Sequence, residues 1–178
     1  NIPRSMVSIL NRAEVDFAIL GSEETCTGDP AKRLGNEYLF QILAAQNIET
    51  FKKYGIRKIL ASCPHCFNSL KNEYPHLGGK YEVLHYSELM NRLIDEGKIK
   101  PLVNISTTMA YHDSCYLGRN NNIYDAPRKL ANSIPGLELI EMEQCKGNGF
   151  CCGAGGGNMW MEESGSERVN HRRTDQFL

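Results

Sequence analysis

With 178 residues, 41% of them hydrophobic and 23% charged, the chain has the composition of a globular protein that buries one substantial core or two small ones, which excludes the disordered and fibrous classes. Twenty basic residues against twenty-one acidic ones leave a formal charge of -1, so no global field steers it to nucleic acid or anionic lipid, and no nucleic-acid partner is expected. No run approaches the roughly 18 consecutive apolar residues of a membrane helix, and the N-terminus lacks a signal-peptide pattern, which makes a cytoplasmic setting the expectation.

An apolar helical pattern around Met6 to Leu10 leads into an expected strand at Phe17 to Leu20 and then a polar turn from Gly21 to Pro30. Leu34, Tyr38, Ile42, Ala45, Ile48 and Phe51 step by three and four, which predicts a long helix whose stripe belongs to the core and which ends in a left-handed cap at Gly55. Ile59, Leu60 and Ala61 read as a short buried strand running directly into Cys63-Pro-His-Cys66 and a helical stretch to Glu73. Tyr81 to His85 alternates as a strand, and Ser87 is expected to cap a helix with Leu89, Met90, Leu93 and Ile94 inward, ending at Gly97. After a connector at 98–106, Thr107 to His112 is β-rich and opens onto a turn holding Cys115 and Gly118. Asp125 and Pro127 start a helix that ends near Ile134, Leu137 to Met142 forms another strand, and 143–157 is a long loop rich in glycine and cysteine. Strands alternating with helices predict an α/β fold of mainly parallel sheets with flanking helices, in which functional loops gather at the C-terminal ends of strands.

Seven cysteines, an odd number without an export signal, argue against a disulfide framework and for metal or redox chemistry. Cys26, Cys63 and Cys66 form one set and Cys115, Cys151 and Cys152 a second, while Cys145 stands apart and reads as a packing residue. The sets look like offset pieces of one repeat. Thr25-Cys26-Thr27-Gly28 parallels Phe150-Cys151-Cys152-Gly153, and each lies about 36 residues from another cysteine motif. The repeat reads Cys, then Cys-Cys-Gly, then Cys-x-x-Cys. Residues 1–100 then hold the C-terminal part of a first module, without its opening Cys, and 101–178 the N-terminal part of a second, without its Cys-x-x-Cys. A start other than Met and a stop in apparent mid-helix after Arg172 and Arg173 make both ends read as cuts.

Thiolates are soft ligands that select zinc, copper(I) or iron-sulfur clusters. The neighbouring side chains of Cys151 and Cys152 strain to occupy two corners of one tetrahedral ion but suit a cluster several ångströms wide. The turn at Cys63 places thiolates at a helix start, and Gly153, Gly155, Gly156 and Gly157 let backbone amides approach sulfur, which raises a cluster's reduction potential.

Cys63-Pro-His-Cys66-Phe67-Asn68 followed by Leu70-Lys71-Asn72-Glu73-Tyr74-Pro75, then Tyr111-His112-Asp113-Ser114-Cys115-Tyr116-Leu117-Gly118-Arg119, and Cys151-Cys152-Gly153-Ala154-Gly155-Gly156-Gly157 resemble the cysteine-rich CCG family along nearly the whole chain. That family includes the heterodisulfide reductase catalytic subunit and iron-sulfur subunits of glycolate, lactate and glycerol-phosphate oxidising systems. The resemblance implies a two-copy module in which five cysteines of a complete copy hold a non-cubane [4Fe-4S] cluster. It also implies redox partners: a ferredoxin-type or flavoprotein donor, a disulfide or quinone acceptor, and attachment of the parent protein at the inner face of the membrane. Thr27 departs from the pattern where the second cysteine of the pair stands. The first module then suits a cubane [4Fe-4S] cluster or zinc through Cys26, Cys63 and Cys66, and the second, through Cys115, Cys151 and Cys152, is the better catalytic candidate.

Other readings compete at single motifs. Cys63-Pro-His-Cys66 alone is also a thiol-disulfide exchange motif, and the first set alone also suits a zinc-stabilised interaction module. His65 and His112 flank cysteines, but structural histidines are commoner there. The glycine run at 153–157 has no following Lys-Ser/Thr and misses the dinucleotide spacing, which argues against a phosphate loop. Arg119 and Arg128 read as surface charges in preference to contacts for an acidic substrate or partner.

Overall fold

In a computed structural model, residues 2–161 and 168–176 are described. Their regular elements are α1 (Ile2–Arg12), α2 (Asp29–Arg33), α3 (Glu37–Lys53), β1 (Lys58–Ala61), α4 (Pro64–Asn68), β2 (Glu82–His85), α5 (Tyr86–Asp95), β3 (Thr107–Ala110), α6 (Asp125–Asn132), β4 (Leu137–Ile140) and α7 (Val169–Asp175). Parallel β1 and β2 pair in the register Lys58↔Glu82 to Ala61↔His85, and parallel β3 and β4 pair from Thr107↔Leu137 to Ala110↔Ile140. Each pair is its own two-stranded sheet joined by a helical crossover, so the chain is α/β with parallel pairing confined within each half.

The expected strand at Phe17 to Leu20 is not formed. Among the described residues no strand pairs with 15–20, and without a ladder to satisfy its amides and carbonyls an extended segment is not a strand. Its apolar side chains still pack: Val15 and Phe17 join one core, Leu20 the other.

Helix α3 begins where the Asn36 side chain accepts from the Leu39 amide at 3.0 Å, a side-chain cap on an otherwise orphan donor. It ends as expected at Gly55, with φ of +62° and a 2.9 Å bond from the Ile56 amide to the Phe51 carbonyl. Its buried face matches the expected apolar stripe only in part. Phe40, Ala44, Asn47, Ile48 and Phe51 face inward, whereas Leu34 lies before the helix and is 52% exposed and Tyr38 is 77% exposed. The stripe holds at Ile48 and Phe51, and the other inward positions are taken by Phe40, Ala44 and the buried Asn47.

The segment after Cys63 is helical in three pitches: α4, then a π turn over Ser69–Glu73, then a 3-10 turn over Tyr74–Leu77. Helix α5 is capped by His85 rather than Ser87; the Glu88 carboxylate accepts from the His85 amide at 3.1 Å, and Ser87 Oγ instead bonds His85 Nδ1 at 2.8 Å.

Two cores result. Phe40, Ala44, Ile48, Phe51, Ala61, Phe67, Leu70, Tyr74 and Val83 form the first, and Leu117, 1% exposed, enters it from the turn after Cys115. Leu10, Ala13, Met90 and Leu93 form the second, with Leu130 of α6 packed against it. Each core therefore receives a side chain from both halves of the chain.

Candidate metal centre

Cys26 lies in the loop before α2, and Cys63 and Cys66 lie where β1 turns into α4, so the first set gathers at one loop cluster beyond the strand end. The Thr27 hydroxyl donates to Cys66 Sγ at 3.4 Å, and the Gly28 amide donates to Cys26 Sγ at 3.4 Å. Thr27, where the family pattern places a cysteine, thus supplies a hydrogen bond to sulfur. Gly28 has a φ of +84°, and a Cβ there would lie 2.9 Å from Phe40 Cδ2, so only glycine fits. Asn47, the buried polar residue of α3, ties this loop down: it donates to the Cys26 carbonyl at 2.9 Å and to Tyr74 Oη at 3.1 Å, and accepts from Thr25 Oγ1 at 2.9 Å.

The two thiols of the Cys-x-x-Cys turn differ. Hydrogen bonds from Cys66 and then His65, whose Nδ1 stands 3.9 Å from Cys63 Sγ, hold the Cys63 thiol well below the ordinary cysteine range. The Cys66 thiol is pushed up, because it donates to the Cys63 thiolate and because it is buried. This is one thiolate sharing a proton with its neighbour, a proton that metal binding to Cys66 has to displace.

In the second half, Cys115 lies in the turn after β3, and Cys151 and Cys152 lie in the long loop after β4. Burial, and then the nearby charges of Cys151 and Cys152, push the Cys115 thiol up, which marks the three as one electrostatic group. The Gly153 amide donates to Cys151 Sγ at 3.3 Å, repeating the Gly28 contact of the first half. Cys145 N-caps a separate 3-10 turn over Lys146–Asn148.

Arg128 is not a surface charge. It is 7% exposed, forks onto Asp113 at 2.7 and 2.8 Å, and reaches Glu141 at 2.8 Å. Asp113 also accepts from the Lys146 amide at 2.6 Å, so this one ion pair fixes both the turn before Cys115 and the loop before Cys151. Arg119 is exposed, as expected, and donates to the Gly149 carbonyl. His112 accepts from Arg173 Nε at 3.0 Å through Nδ1, a structural role for that histidine. The signal for Asp113 and Arg128 in the sequence was weak: the aspartate lies between His112 and Cys115, and nothing in the spacing pointed to its partner.

Sequence reasoning missed Arg33 and Tyr116. The two cysteine sets meet through them. The Tyr116 ring lies 4.5 Å, centroid to centroid, from the His65 ring and 5.1 Å from the Arg33 guanidinium. Arg33 itself is held by Asp29 at 3.1 Å and by Glu73.

Among the described residues no three Cys, His, Asp or Glu side chains converge closely enough to hold a single metal ion. The donor chemistry nonetheless fits a thiolate-held group: all six cysteines of the two sets are free, each set is assembled from separate loops, and each has a backbone amide aimed at sulfur.

Comparison with known proteins bears on what this arrangement is. Over 99% of its length the chain is 50% identical to the EtfAB:quinone oxidoreductase of Syntrophomonas wolfei, of which it spans 26%. It is 41% identical over 84% of its length to a subunit of the dihydromethanophenazine:CoB--CoM heterodisulfide reductase of Methanosarcina mazei, spanning 38% of that protein. It is 40% identical over 75% of its length to a subunit of the fumarate reductase (CoM/CoB) of Methanothermobacter marburgensis, spanning 26% of it. No solved structure matches the chain. The family model of the cysteine-rich domain matches residues 1–71 and 109–178, covering both cysteine sets, and the chain therefore belongs to the CCG cysteine-rich domain family.

Proposed function

We propose that the chain is the cysteine core of an iron-sulfur electron-transfer oxidoreductase related to heterodisulfide reductase. The observation that carries this reading is the pair of cysteine sets, each gathered from distant loops with a glycine amide donating to sulfur at 3.4 or 3.3 Å. Relatives named as oxidoreductases, among them a quinone oxidoreductase and a heterodisulfide reductase, support it. A bound cluster supplies one-electron chemistry at a potential set by its ligands and their hydrogen bonds. The chain's own part is to present thiolates, donate amide hydrogen bonds to them and fix the loops that carry them.

In this reading residues 1–100 are part of a first module and 101–178 part of a second, a division supported by the pairing of β1 with β2 and β3 with β4. Cys26, Cys63 and Cys66 are ligands of a cubane [4Fe-4S] cluster or zinc, with Thr27 as a donor to sulfur in place of a further thiolate. Cys115, Cys151 and Cys152 are ligands of the catalytic cluster, of non-cubane [4Fe-4S] type in a complete module. A flavoprotein or ferredoxin-type donor and a disulfide or quinone acceptor are the expected partners. Among the described residues no helix is long and apolar enough to cross a membrane; placement at the inner face of a membrane belongs to the parent protein.

The test is a redox titration of the full-length parent kept free of oxygen. A broad visible absorption should bleach on reduction by dithionite and return on addition of a quinone or an organic disulfide. A colourless protein, or a colour indifferent to both, would sink the reading.

One observation favours a second reading. The stabilised Cys63 thiolate beside the protonated Cys66 is also the arrangement of a thiol-disulfide exchange pair. That reading requires turnover on disulfides by protein stripped of metal, and leaves Cys115, Cys151 and Cys152 without a role.

A further inference from the structure

We propose that Arg33 and Tyr116 are positioning residues that couple the two cysteine sets, so that a metal or cluster held by one set raises the affinity of the other. The inference rests on the metal-binding reading above and adds a communication path that neither set contains by itself.

The path is continuous in contacts. His65 stands between Cys63 and Cys66, and its ring lies 4.5 Å from that of Tyr116, the residue after Cys115. Arg33 covers Tyr116 at 5.1 Å. Its anchors come from the first set's own supports: Asp29, 3% exposed, follows the Cys26 loop, and Glu73, which also accepts from Ser69 at 3.1 Å, ends the π turn that follows α4.

The loop of the second set closes the other side. A Cβ at Gly155 would sit 3.7 Å from His65 Nε2, one at Gly156 3.8 Å from Arg33 Cβ, and one at Gly157 2.7 Å from Leu34 Cγ. The glycine run after Cys151 and Cys152 therefore lies flat on the first set's Arg33, Leu34 and His65. No side chain larger than hydrogen at Gly157 permits that approach. Gly156 and Gly157 also have φ of +69° and +83°.

Aromatic and cation-π contacts of this kind are favourable but individually modest. They are small against the cost of ordering an irregular loop, so they bias a loop that Asp113 already ties down through Arg128 and the Lys146 amide. The backbone from 141 to 154 has one short 3-10 turn as its regular structure, so its order depends on what it rests upon. Filling the first set fixes His65 between its two ligands, which fixes Tyr116 and the glycine run, and hence the thiolates of the second. By linkage the effect runs equally in the other direction.

The test uses metal-free, reduced full-length parent and cobalt(II) as the probe. Protection of each cysteine from iodoacetamide is read by mass spectrometry as cobalt is added. In the otherwise wild-type protein, Cys63→Ser should raise the cobalt concentration that protects Cys151 and Cys152 about tenfold, within the range usual for coupled sites. In Tyr116→Leu or Arg33→Ala, that concentration should already be raised, and adding Cys63→Ser should change it less than about twofold. Tyr116→Phe, which keeps the ring, should behave as wild type. An unchanged Cys145 alkylation rate and circular dichroism identify variants that are folded, and two independent variants guard against one that is not. The coupling is overturned if Cys63→Ser leaves protection of Cys151 and Cys152 untouched, or if Tyr116→Leu and Arg33→Ala show the full wild-type response to it. Absence of cobalt protection at both sets overturns the metal-binding reading together with the coupling.

Discussion

Gly28 and Gly153 occupy the same place in the two halves of the chain: each follows a cysteine by two residues, donates its amide to that cysteine's sulfur at 3.4 and 3.3 Å, and does so at positive φ, +84° and +75°. A repeat first visible as an alignment of four-residue strings is thus a repeat of backbone conformation. The conformation aims an N–H at sulfur, and a left-handed residue is what turns the chain far enough to do it.

Gly28→Ala should be costly for two reasons that add. A left-handed residue with a Cβ costs about 1–2 kcal/mol, and overpacking against Phe40 about 1–3 more. Urea midpoints should fall accordingly, whereas Gly147→Ala, at a position with open space around it and no positive φ, should change stability by less than about 1 kcal/mol. Equal effects at the two positions would contradict the role given to Gly28.

The Asp113 and Arg128 pair makes stability depend on acid. Burial pushes the Asp113 carboxyl up, but the Arg128 fork and the Lys146 amide outweigh it and hold it below the usual aspartate range. A depressed folded pKa contributes stability that is complete above the unfolded value of about 4 and is lost as pH falls through the folded value. Urea midpoints measured from pH 7 to pH 3 should drop at the acid end, and Asp113→Asn should flatten that drop. Arg128→Ala, which strands a buried carboxylate, should cost about 3–5 kcal/mol at pH 7.

Asn47→Leu should lower stability by about 1–3 kcal/mol, because the Tyr74 hydroxyl and the Cys26 carbonyl lose a buried donor. It should also speed alkylation of Cys26 relative to Cys145 in the metal-free chain. A Cys26 rate unchanged in a folded variant would show that Asn47 does not hold that loop.

Much of this was legible in the sequence, and the failures share a cause. The β1 to α4 turn, the positions of all four strands and the Gly55 cap follow from short-range patterns of apolar residues and glycine. The strand at Phe17 to Leu20 failed because a strand is defined by its partner, which local apolarity does not report. The α3 stripe was right at Ile48 and Phe51, but the inward Asn47 was not legible because it looks polar in a sequence, though its hydrogen bonds to Cys26 and Tyr74 make it core. The grouping of the cysteines came from spacing alone, yet Arg33 meets Tyr116, and Arg128 meets Asp113 and Glu141, across 13 to 83 positions of chain, where spacing carries no information.

Cys63 should alkylate in the metal-free chain at a pH where ordinary thiols, with pKa about 8.5, are inert. Its thiolate is stabilised by Cys66 and then His65, so lowering pH should silence Cys63 last, and Cys66 should react only at much higher pH. His65→Ala should shift the Cys63 profile upward. Coincident profiles for Cys63 and Cys66 would remove the asymmetry on which the exchange reading also depends.

That these cysteines hold iron-sulfur clusters is tested most directly by iron and acid-labile sulfide analysis of the full-length parent purified without oxygen, beside its Cys151→Ser and Cys152→Ser variants. Iron and sulfide should appear in near-equal amounts in the parent, and each variant should lose one cluster's share of both, with its paramagnetic signal. Cys145→Ser should retain the full complement. Zinc without sulfide in the parent, or variants at Cys151 and Cys152 that keep every iron and every sulfide, would contradict the assignment.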